Sequence, residues 1–320
     1  IDNRGNTWIG TVEKGIKILD SHHQLLNHYF PDSKTGRLSS GYVKAMLVDR
    51  SDRIWIGTDN GLNRHLEMDR FKKYIFKNPN PDPELNSIEA LCEAKDGGLL
   101  IGTDGGGFIK LGNDGDYRVF RFQSNNENDN TVLSVLEDSQ QRIWLGTKGG
   151  LKQFLRAGQY RHYREKDGLP NDDIKALIED RSGKIWISTN RGLSCFDPEK
   201  MSFQNYFLKD GLQGNGFNQN AALLNGNGQL YFGGPNGFNI IKPDSIGINP
   251  FPPRIVLTSF KKFNREQRID RGINNTDEII LSHRDRLISF EFVGLNYSDS
   301  NKNRYAWKLE GLNNDWIDLG

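Results

Sequence analysis

The sequence is poor in cysteine, in long apolar segments and in net charge. Its two cysteines, Cys92 and Cys195, fall more than two of the repeats described below apart and at different places within the repeat, so no disulfide is expected between them. No apolar run approaches the roughly 18 residues that a membrane-spanning helix needs. The 42 basic and 41 acidic residues leave a net charge of +1. This balance does not favour a basic surface that binds the phosphate backbone of a nucleic acid, so nucleic acid is not expected as a partner.

Catalytic and metal-binding patterns are also missing from the sequence. The six histidines are scattered and show no recurring metal-ligand spacing. The acidic pairs Glu137-Asp138 and Glu179-Asp180 end predicted strands, where we expect them to shape turns rather than to form an acid/base pair. We therefore predict no catalytic residue, no metal site and no cofactor in this region.

A short motif that combines an aromatic residue, a small residue and threonine recurs along the chain. Its clearest copies are Trp55-Ile56-Gly57-Thr58, Trp144-Leu145-Gly146-Thr147 and Trp186-Ile187-Ser188-Thr189. With three looser copies, the first positions are 8, 55, 100, 144, 186 and 231, separated by 47, 45, 44, 42 and 45 residues. A period in the low forties with short alternating runs is typical of the blades of a β-propeller.

One repeat can be divided into four short strands. Residues 131–138, 142–147, 151–155 and 159–163 alternate in polarity and are separated by turn residues, which predicts an antiparallel four-stranded blade. The tryptophan of the second strand is expected to fill the space between blades, burying about 150–250 Å², rather than to stack on a sugar. The glycines after the threonine are expected to form turns with positive φ.

Residues 166–174 and 179–193 resemble the two-component regulator propeller repeat. The Lys-Asp-Gly-Leu sequence at 166–169, which opens this segment, occurs again at 209–212. This repeat builds the periplasmic sensor half of hybrid two-component systems in Bacteroides-type bacteria. The resemblance covers residues 1–249, which we predict to be a propeller of four-stranded blades. Six repeats are visible, and seven blades are expected in the full protein if one blade lies upstream.

Residues 250–320 resemble the triple-tyrosine domain that follows such propellers. Alternating runs at 254–258, 278–281, 287–292 and 305–309 are similar to strands of an Ig-like β-sandwich, although Trp307 stands where a tyrosine or phenylalanine is usual. The sequence ends before the last strands of such a domain, so we predict a truncated sandwich. The segment 249–253 contains Pro252 and Pro253 and is predicted to be a stiff linker. The whole chain is therefore predicted to be all-β.

The resemblance implies an extracytoplasmic ligand-sensing region of a hybrid sensor histidine kinase and response regulator, located in the periplasm as part of an inner-membrane protein. It implies an oligosaccharide ligand, a homodimer formed through the ectodomain and contact with an adjacent propeller of the same chain. Signalling would pass through the Ig-like domain. Kinase activity is expected only in downstream domains absent from this sequence, so this region is predicted not to be an enzyme.

Strand order predicts where a ligand would bind. In an antiparallel blade, the turn between the second and third strands emerges on the same side as the loop that leads into the first strand; we call this side the loop face. Its polar residues suit a hydroxyl-rich ligand, although Asn and Asp also shape turns wherever turns occur. The predicted ligand-binding residues are Asp59, Asn60, Asp104, Lys148, Asn171, Asn190, Arg191 and Asn236.

Two other functions remain open from the sequence, because a fold does not fix a function. A carbohydrate-active glycosidase or lyase would need a pair of carboxylates about 5–10 Å apart and would turn over its substrate. An interaction scaffold would use the same polar loops to dock another propeller or protein.

Overall fold

The computed structural model describes residues 1–31, 37–66, 70–77, 83–123, 126–155, 159–246, 254–269, 272–276, 278–295, 305–311 and 315–318. It divides into two compact units, Ile1–Ser245 and Ile246–Gly320. The sequence places the boundary between residues 249 and 250. The predicted linker at 249–253 lies outside the described residues.

The first unit consists of six antiparallel sheets, which we call blades 1 to 6. Blades 2 to 5 have four strands in chain order, and blades 1 and 6 have three. These sheets confirm the predicted all-β propeller architecture. In chain order the strands are, for blade 1, β1 (Thr7–Gly10), β2 (Ile16–Leu19) and β3 (Leu25–Tyr29); for blade 2, β4 (Val43–Val48), β5 (Ile54–Thr58), β6 (Gly61–Leu66) and β7 (Arg70–Tyr74); for blade 3, β8 (Ile88–Glu93), β9 (Leu99–Thr103), β10 (Phe108–Leu111) and β11 (Tyr117–Phe120); for blade 4, β12 (Val132–Glu137), β13 (Ile143–Thr147), β14 (Gly150–Phe154) and β15 (Tyr160–Tyr163); for blade 5, β16 (Ile174–Glu179), β17 (Ile185–Thr189), β18 (Gly192–Asp197) and β19 (Ser202–Tyr206); and for blade 6, β20 (Ala222–Leu224), β21 (Leu230–Gly234) and β22 (Gly237–Ile241).

Helical structure in the described residues is limited to single turns of 3₁₀ helix, all in connections between strands. This agrees with the lack of a 3.6-residue period in the repeats. The turns are Pro83–Asn86, Glu127–Asn130, Glu165–Asp167, Leu208–Asp210, Pro243–Ser245 and Ile273–Asn275.

The glycine of the repeated motif allows successive blades to pack closely. The first strands of successive blades lie side by side, β4 beside β8, β8 beside β12 and β12 beside β16. A Cβ atom added at Gly57 would lie 2.6 Å from Cγ2 of Ile88 in the next blade, and one added at Gly146 would lie 2.5 Å from Cγ2 of Ile174. Both isoleucines are fully buried. The motif glycine is therefore a site of close approach between sheets.

The motif tryptophan is a core residue that is fixed by an aspartate six positions earlier. Trp144 is fully buried, and its Nε1–H donates to Oδ2 of Asp138 at 2.9 Å. Trp55 and Asp49 repeat the arrangement at 2.7 Å. The same aspartates accept backbone N–H groups of the following turn, for example from Arg142 to Asp138 at 2.8 Å. These contacts confirm the structural interpretation of the tryptophans.

In blades 4 and 5 the glutamate that precedes the equivalent aspartate connects the blade to the one before it. Glu137 accepts the backbone N–H of Lys95, and Glu179 accepts both the backbone N–H and the hydroxyl of Ser139, at 2.7 and 2.6 Å. The acidic pairs therefore shape and fix turns on the side opposite the loop face, as predicted. Cys92 and Cys195 are both free thiols.

The second unit contains a three-stranded antiparallel sheet and a separate two-stranded pair. The prediction of a strand at 278–281 is wrong: these residues lie outside any strand, and Ile280 is 82% exposed. An alternating pattern alone does not hold a strand that has no neighbour to pair with. The Ig-like sandwich stays a prediction. The strands are β23 (Arg254–Lys262), β24 (Arg265–Glu266), β25 (Ile288–Leu295), β26 (Ala306–Trp307) and β27 (Ile317–Asp318), in the orders β24-β23-β25 and β26-β27.

Candidate functional site

The loop face is held together by one backbone hydrogen bond that recurs in blades 2 to 5. The residue after the motif threonine donates its N–H to the carbonyl of the loop that leads into the first strand of the same blade. Examples are Asp104 to Ser87 at 2.9 Å, Lys148 to Thr131 at 3.1 Å and Asn190 to Asp173 at 3.2 Å. The turns and the incoming loops therefore lie on one side of the sheets.

Several predicted ligand-binding residues use their side chains to shape these turns. The amide of Asn60 donates to the Ser39 carbonyl at 3.3 Å, and the amide of Asn236 donates to the Gln213 carbonyl at 3.3 Å. Asn171 donates to Glu165 at 3.0 Å. These amides have the structural role that Asn commonly has in turns.

The remaining predicted residues form two local groups rather than one site. Lys148 Nζ lies 3.7 Å from Oδ1 of Asp104 on the neighbouring blade. In blade 5, Asn190 donates its side-chain amide to Asp173, whose carboxylate also pairs with Lys175 at 2.9 Å. Asp59 and Arg191 are exposed on their turns. The assignment of all eight residues to ligand binding stays a prediction.

A cleft of about 580 Å³ opens on the loop face between blades 3 and 4. Its volume falls within the range of about 300–1,000 Å³ that small-molecule sites occupy, but hydrophobic residues are absent from its lining. Of its lining, sequence reasoning selected Asp104 and missed Glu84, Arg121 and Glu127. We call this the 3/4 cleft; it is lined by Glu84, Ser87, Asp104, Gly105, Arg121, Glu127, Asn128, Asn130 and Thr131.

A buried glutamate connects the first strands of blades 2 and 3 with the turn that leads into blade 6. Glu89, which is 6% exposed, forms an ion pair with Lys44 of blade 2. It also accepts from the Gln219 side chain at 2.8 Å, and its backbone carbonyl accepts from the Asn220 side chain at 2.8 Å. Lys44 and Glu89 are the extra residues of equivalent β-bulges in β4 and β8, which take them out of the regular strand pairing. The first strands of blades 2 and 3 are therefore joined to the turn that precedes the first strand of blade 6.

A second buried charge cluster lies beside the 3/4 cleft and was not found from the sequence. Lys152 Nζ lies 3.2 Å from Oδ1 of Asp129, and the two side chains are 0% and 1% exposed. Arg164 contacts both oxygens of Asp129, at 3.1 and 3.0 Å. His162 Nε2 lies 3.0 Å from Lys152 Nζ and 2.8 Å from the Gly149 carbonyl. The cluster holds the loop that carries Asp129 against the turn at Gly149.

Burial lowers the pKa of Lys152 to about 8, against the opposing attraction of Asp129. Its ammonium also lies over the rings of Tyr160 and Phe122, 4.9 and 5.2 Å from their centroids. Burial and the nearby Lys152 charge lower the pKa of His162. Lys152 and Asp129 are enclosed and hold the loop in place, whereas the side chains of His162 and Arg164 are 21% and 33% exposed.

A positional signal could have found Lys152. It is the third residue of the third strand, where blades 2 and 5 have Asn63 and Ser194. In those blades this residue also fixes the incoming loop: Asn63 bonds to Ser39, and Ser194 bonds to Asn205, whose amide reaches the Gly168 carbonyl. Alignment of the repeats by strand therefore identifies a loop-anchoring position.

Among the described residues, no group of three or more His, Cys, Asp or Glu side chains could hold a metal ion. A helix long and apolar enough to cross a membrane is likewise not found among them.

Comparison with known proteins identifies the repeats. The family model for the two component regulator propeller matches residues 37–60, 126–149 and 168–191. The chain is also 26% identical over 295 residues to histidine kinase P4 of Formosa agariphila, covering 87% of this chain and 18% of that protein. The chain thus carries two-component regulator propeller repeats and is homologous to part of a histidine kinase.

Solved structures show what the fold resembles. It is 28% identical to the extracellular domain of BT3049 from B. thetaiotaomicron, assigned to a hybrid two-component system, with a TM-score of 0.68 over 99% of this chain and 44% of that one. Virginiamycin B lyase from Staphylococcus aureus shares the fold at 12% identity, with a TM-score of 0.61 over 77% of this chain and 80% of the lyase. The chain spans 18% of the length of histidine kinase P4 and 44% of the BT3049 extracellular domain.

Proposed function

We propose that this chain is part of the extracytoplasmic ligand-sensing region of a hybrid two-component sensor, and that it binds an oligosaccharide on its loop face. The region is proposed to lie in the periplasm, to form a homodimer and to contact an adjacent propeller of the same chain. Ligand binding would favour one arrangement of the dimer, and the second unit would pass that change toward a kinase.

The observation that carries this proposal is the likeness to the extracellular domain of BT3049, which covers both units of the chain. The 3/4 cleft supports an oligosaccharide as the ligand class. Its lining offers carboxylates, amides, hydroxyls and one guanidinium, the groups that pair with sugar hydroxyls. Exposed Glu127 and Asn128 stand on the loop that the buried Asp129 anchors.

We propose that the region is not catalytic. The buried Lys152–Asp129 pair beside the cleft is enclosed, since its side chains are 0% and 1% exposed, and the cleft residue Asp104 lies 3.7 Å from Lys148 Nζ. The shared fold with virginiamycin B lyase does not change this, because unrelated functions share one fold.

Titration calorimetry of the complete extracytoplasmic region against neutral oligosaccharides of four to six sugars tests the ligand class. We expect saturable heat with one sugar type, and about a tenfold loss of affinity in Asn128→Ala, equivalent to 1.4 kcal/mol. Asn227→Ala is the matched control, since Asn227 is an exposed asparagine in the turn between β20 and β21, on the opposite face.

Product analysis of each titrated sample separates the sensor from an enzyme. Intact sugar together with a loss confined to Asn128→Ala supports the proposal. Shortened or unsaturated sugar would assign the chain to the carbohydrate-active enzymes. Binding that both variants retain would place the site away from the 3/4 cleft.

A further inference from the structure

Two cations lie directly opposite each other on neighbouring strands of blade 2. Arg64 on β6 is paired in register with Lys72 on β7, and Trp55 on β5 is the next residue in the same row. Like charges in directly opposed positions destabilise a sheet unless something compensates them. Within the described part of the chain, neither Arg64 nor Lys72 has a carboxylate oxygen within 4.0 Å.

Blade 3 has an equivalent pair of cations, and there a carboxylate compensates it. Lys110 lies opposite Arg118, and Lys110 Nζ contacts Oδ2 of Asp96 at 2.9 Å. Asp96 stands four residues before the second-strand position 100, and the same position in blade 2, four residues before position 55, is Ser51. Among the residues that the structure describes, blade 2 therefore has the same paired cations without a carboxylate that pairs with them.

The uncompensated cations face a small recess between blades 2 and 3. Arg53 joins them there, with its Cζ 5.6 Å from the centre of the Trp55 ring, while Arg64 Cζ lies 5.7 Å from the same ring. Arg53 is paired with Asp49 at 2.6 Å, so its charge is already balanced. These aromatic contacts hold both guanidinium groups at the recess.

The opposite wall of the recess belongs to blade 3 and consists largely of glycine. Gly97, Gly98, Gly112 and Gly115 bring backbone close to the cations, and Asp114 contributes one carboxylate, which accepts the backbone N–H of Asp116 at 3.1 Å. With two uncompensated cations and one acid, the recess keeps an excess positive charge.

We propose that this recess binds a small oxyanion, namely a sulfate or phosphate group that is either free or carried on a saccharide. The cavity of about 60 Å³ is far smaller than the roughly 300 Å³ at which sites for drug-sized ligands begin, so it suits a charged group rather than a whole sugar. Arginine presents two parallel N–H donors to such an anion, and lysine adds a point charge. The site lies on the side of the blades opposite the loop face and is independent of the proposed oligosaccharide site.

Thermal unfolding and titration calorimetry of the full chain test the site with sodium sulfate and sodium phosphate, against sodium chloride at equal ionic strength. We expect saturable stabilisation by the oxyanions alone, and at least a tenfold loss of sulfate affinity in Arg64→Gln and in Lys72→Gln. Arg118→Gln is the matched control, because it removes one cation of the equivalent pair outside the recess. Without oxyanion, we expect Lys72→Gln to unfold at nearly the same temperature as the parent, because the relieved repulsion is offset by loss of the contact between Lys72 Nζ and the Tyr74 ring, 4.8 Å from its centroid.

Galactose 6-sulfate and galactose distinguish the two sources of the anion. Tighter binding of the sulfated sugar than of inorganic sulfate would indicate a saccharide-borne group, and equal binding would indicate the free ion. Equal stabilisation by chloride and sulfate, or unchanged sulfate affinity in both Arg64→Gln and Lys72→Gln, would overturn the proposal.

Discussion

Replacing Asp129 by asparagine tests whether the buried cluster anchors the loop face. Lys152 has a pKa of about 8 in the folded chain, so at pH 7 it can release its proton at a cost of about 1.4 kcal/mol. Neutralisation therefore limits what the lysine loses when the carboxylate disappears. Arg164, whose side chain is 33% exposed, loses two charge-assisted hydrogen bonds and adds about 1 kcal/mol after allowance for solvent. We expect Asp129→Asn to lower the free energy of unfolding by about 2–3 kcal/mol.

The matching double variant isolates the contribution of the lysine. In Asp129→Asn/Lys152→Met the buried ammonium is gone, so the loss relative to Lys152→Met should be about 1 kcal/mol, the part due to Arg164. Urea unfolding followed by tryptophan fluorescence measures all four states of the cycle. Additive effects of the two substitutions would refute the coupling and, with it, the anchoring role of the cluster.

The same lysine predicts how stability depends on pH. The folded pKa of Lys152 is lowered from 10.5 to about 8, so between these values the unfolded chain holds a proton that the folded chain has released. Stability therefore rises through this window, by up to about 3 kcal/mol. Parent and Lys152→Met, unfolded in urea from pH 7 to 10.5, should diverge in favour of the parent. Parallel curves would contradict this.

Two further predictions concern the packing of the blades. Gly146→Ala should cost about 1–3 kcal/mol in urea unfolding because its Cβ would lie 2.5 Å from Ile174 Cγ2, whereas Gly226→Ala, with nothing within 4 Å, should stay within about 0.5 kcal/mol. Burial opposes ionisation of Asp49, but the Trp55 hydrogen bond and other donors lower its pKa below the ordinary value. The stability that ionised Asp49 contributes is present above about pH 4 and is lost as the pH falls through its lowered folded pKa. The free energy of unfolding of Asp49→Asn should therefore fall less steeply at acid pH than that of the parent. An unchanged fall at acid pH would contradict the reasoning.

The repeated motif allowed the blades to be predicted because each copy meets the same surroundings. In blade 4 the predicted strand at 159–163 matches β15, Tyr160–Tyr163, and the predicted strand at 131–138 contains β12. Because six copies of the motif recur at spacings of 42–47 residues, an error in the strand prediction for a single repeat is easy to recognise. The second unit has no such internal repetition, and there the prediction at 278–281 was wrong.

The charged clusters could not be predicted because they depend on which residues meet across loops and blades. Lys152 and Asp129 are separated by 23 positions, and Glu89 and Asn220 by 131. A lysine in a short strand resembles an outward-facing residue unless the repeats are first aligned by strand. The Asn side chains of the loop face were found easily, but their amides serve the turns, while Glu127 and Asn128 line the cleft.

The most direct test of the proposed sensor is a distance measurement between the two copies of the proposed homodimer, made on the complete extracytoplasmic region. Spin labels at Arg268→Cys, an exposed position of the second unit, with Cys92 and Cys195 replaced by alanine, report the separation of the two second units. We predict that a saturating oligosaccharide shifts the distance distribution, and that the shift is lost in Asn128→Ala at the same sugar concentration. An unchanged distribution at proven saturation would contradict the claim that binding is converted into a signal.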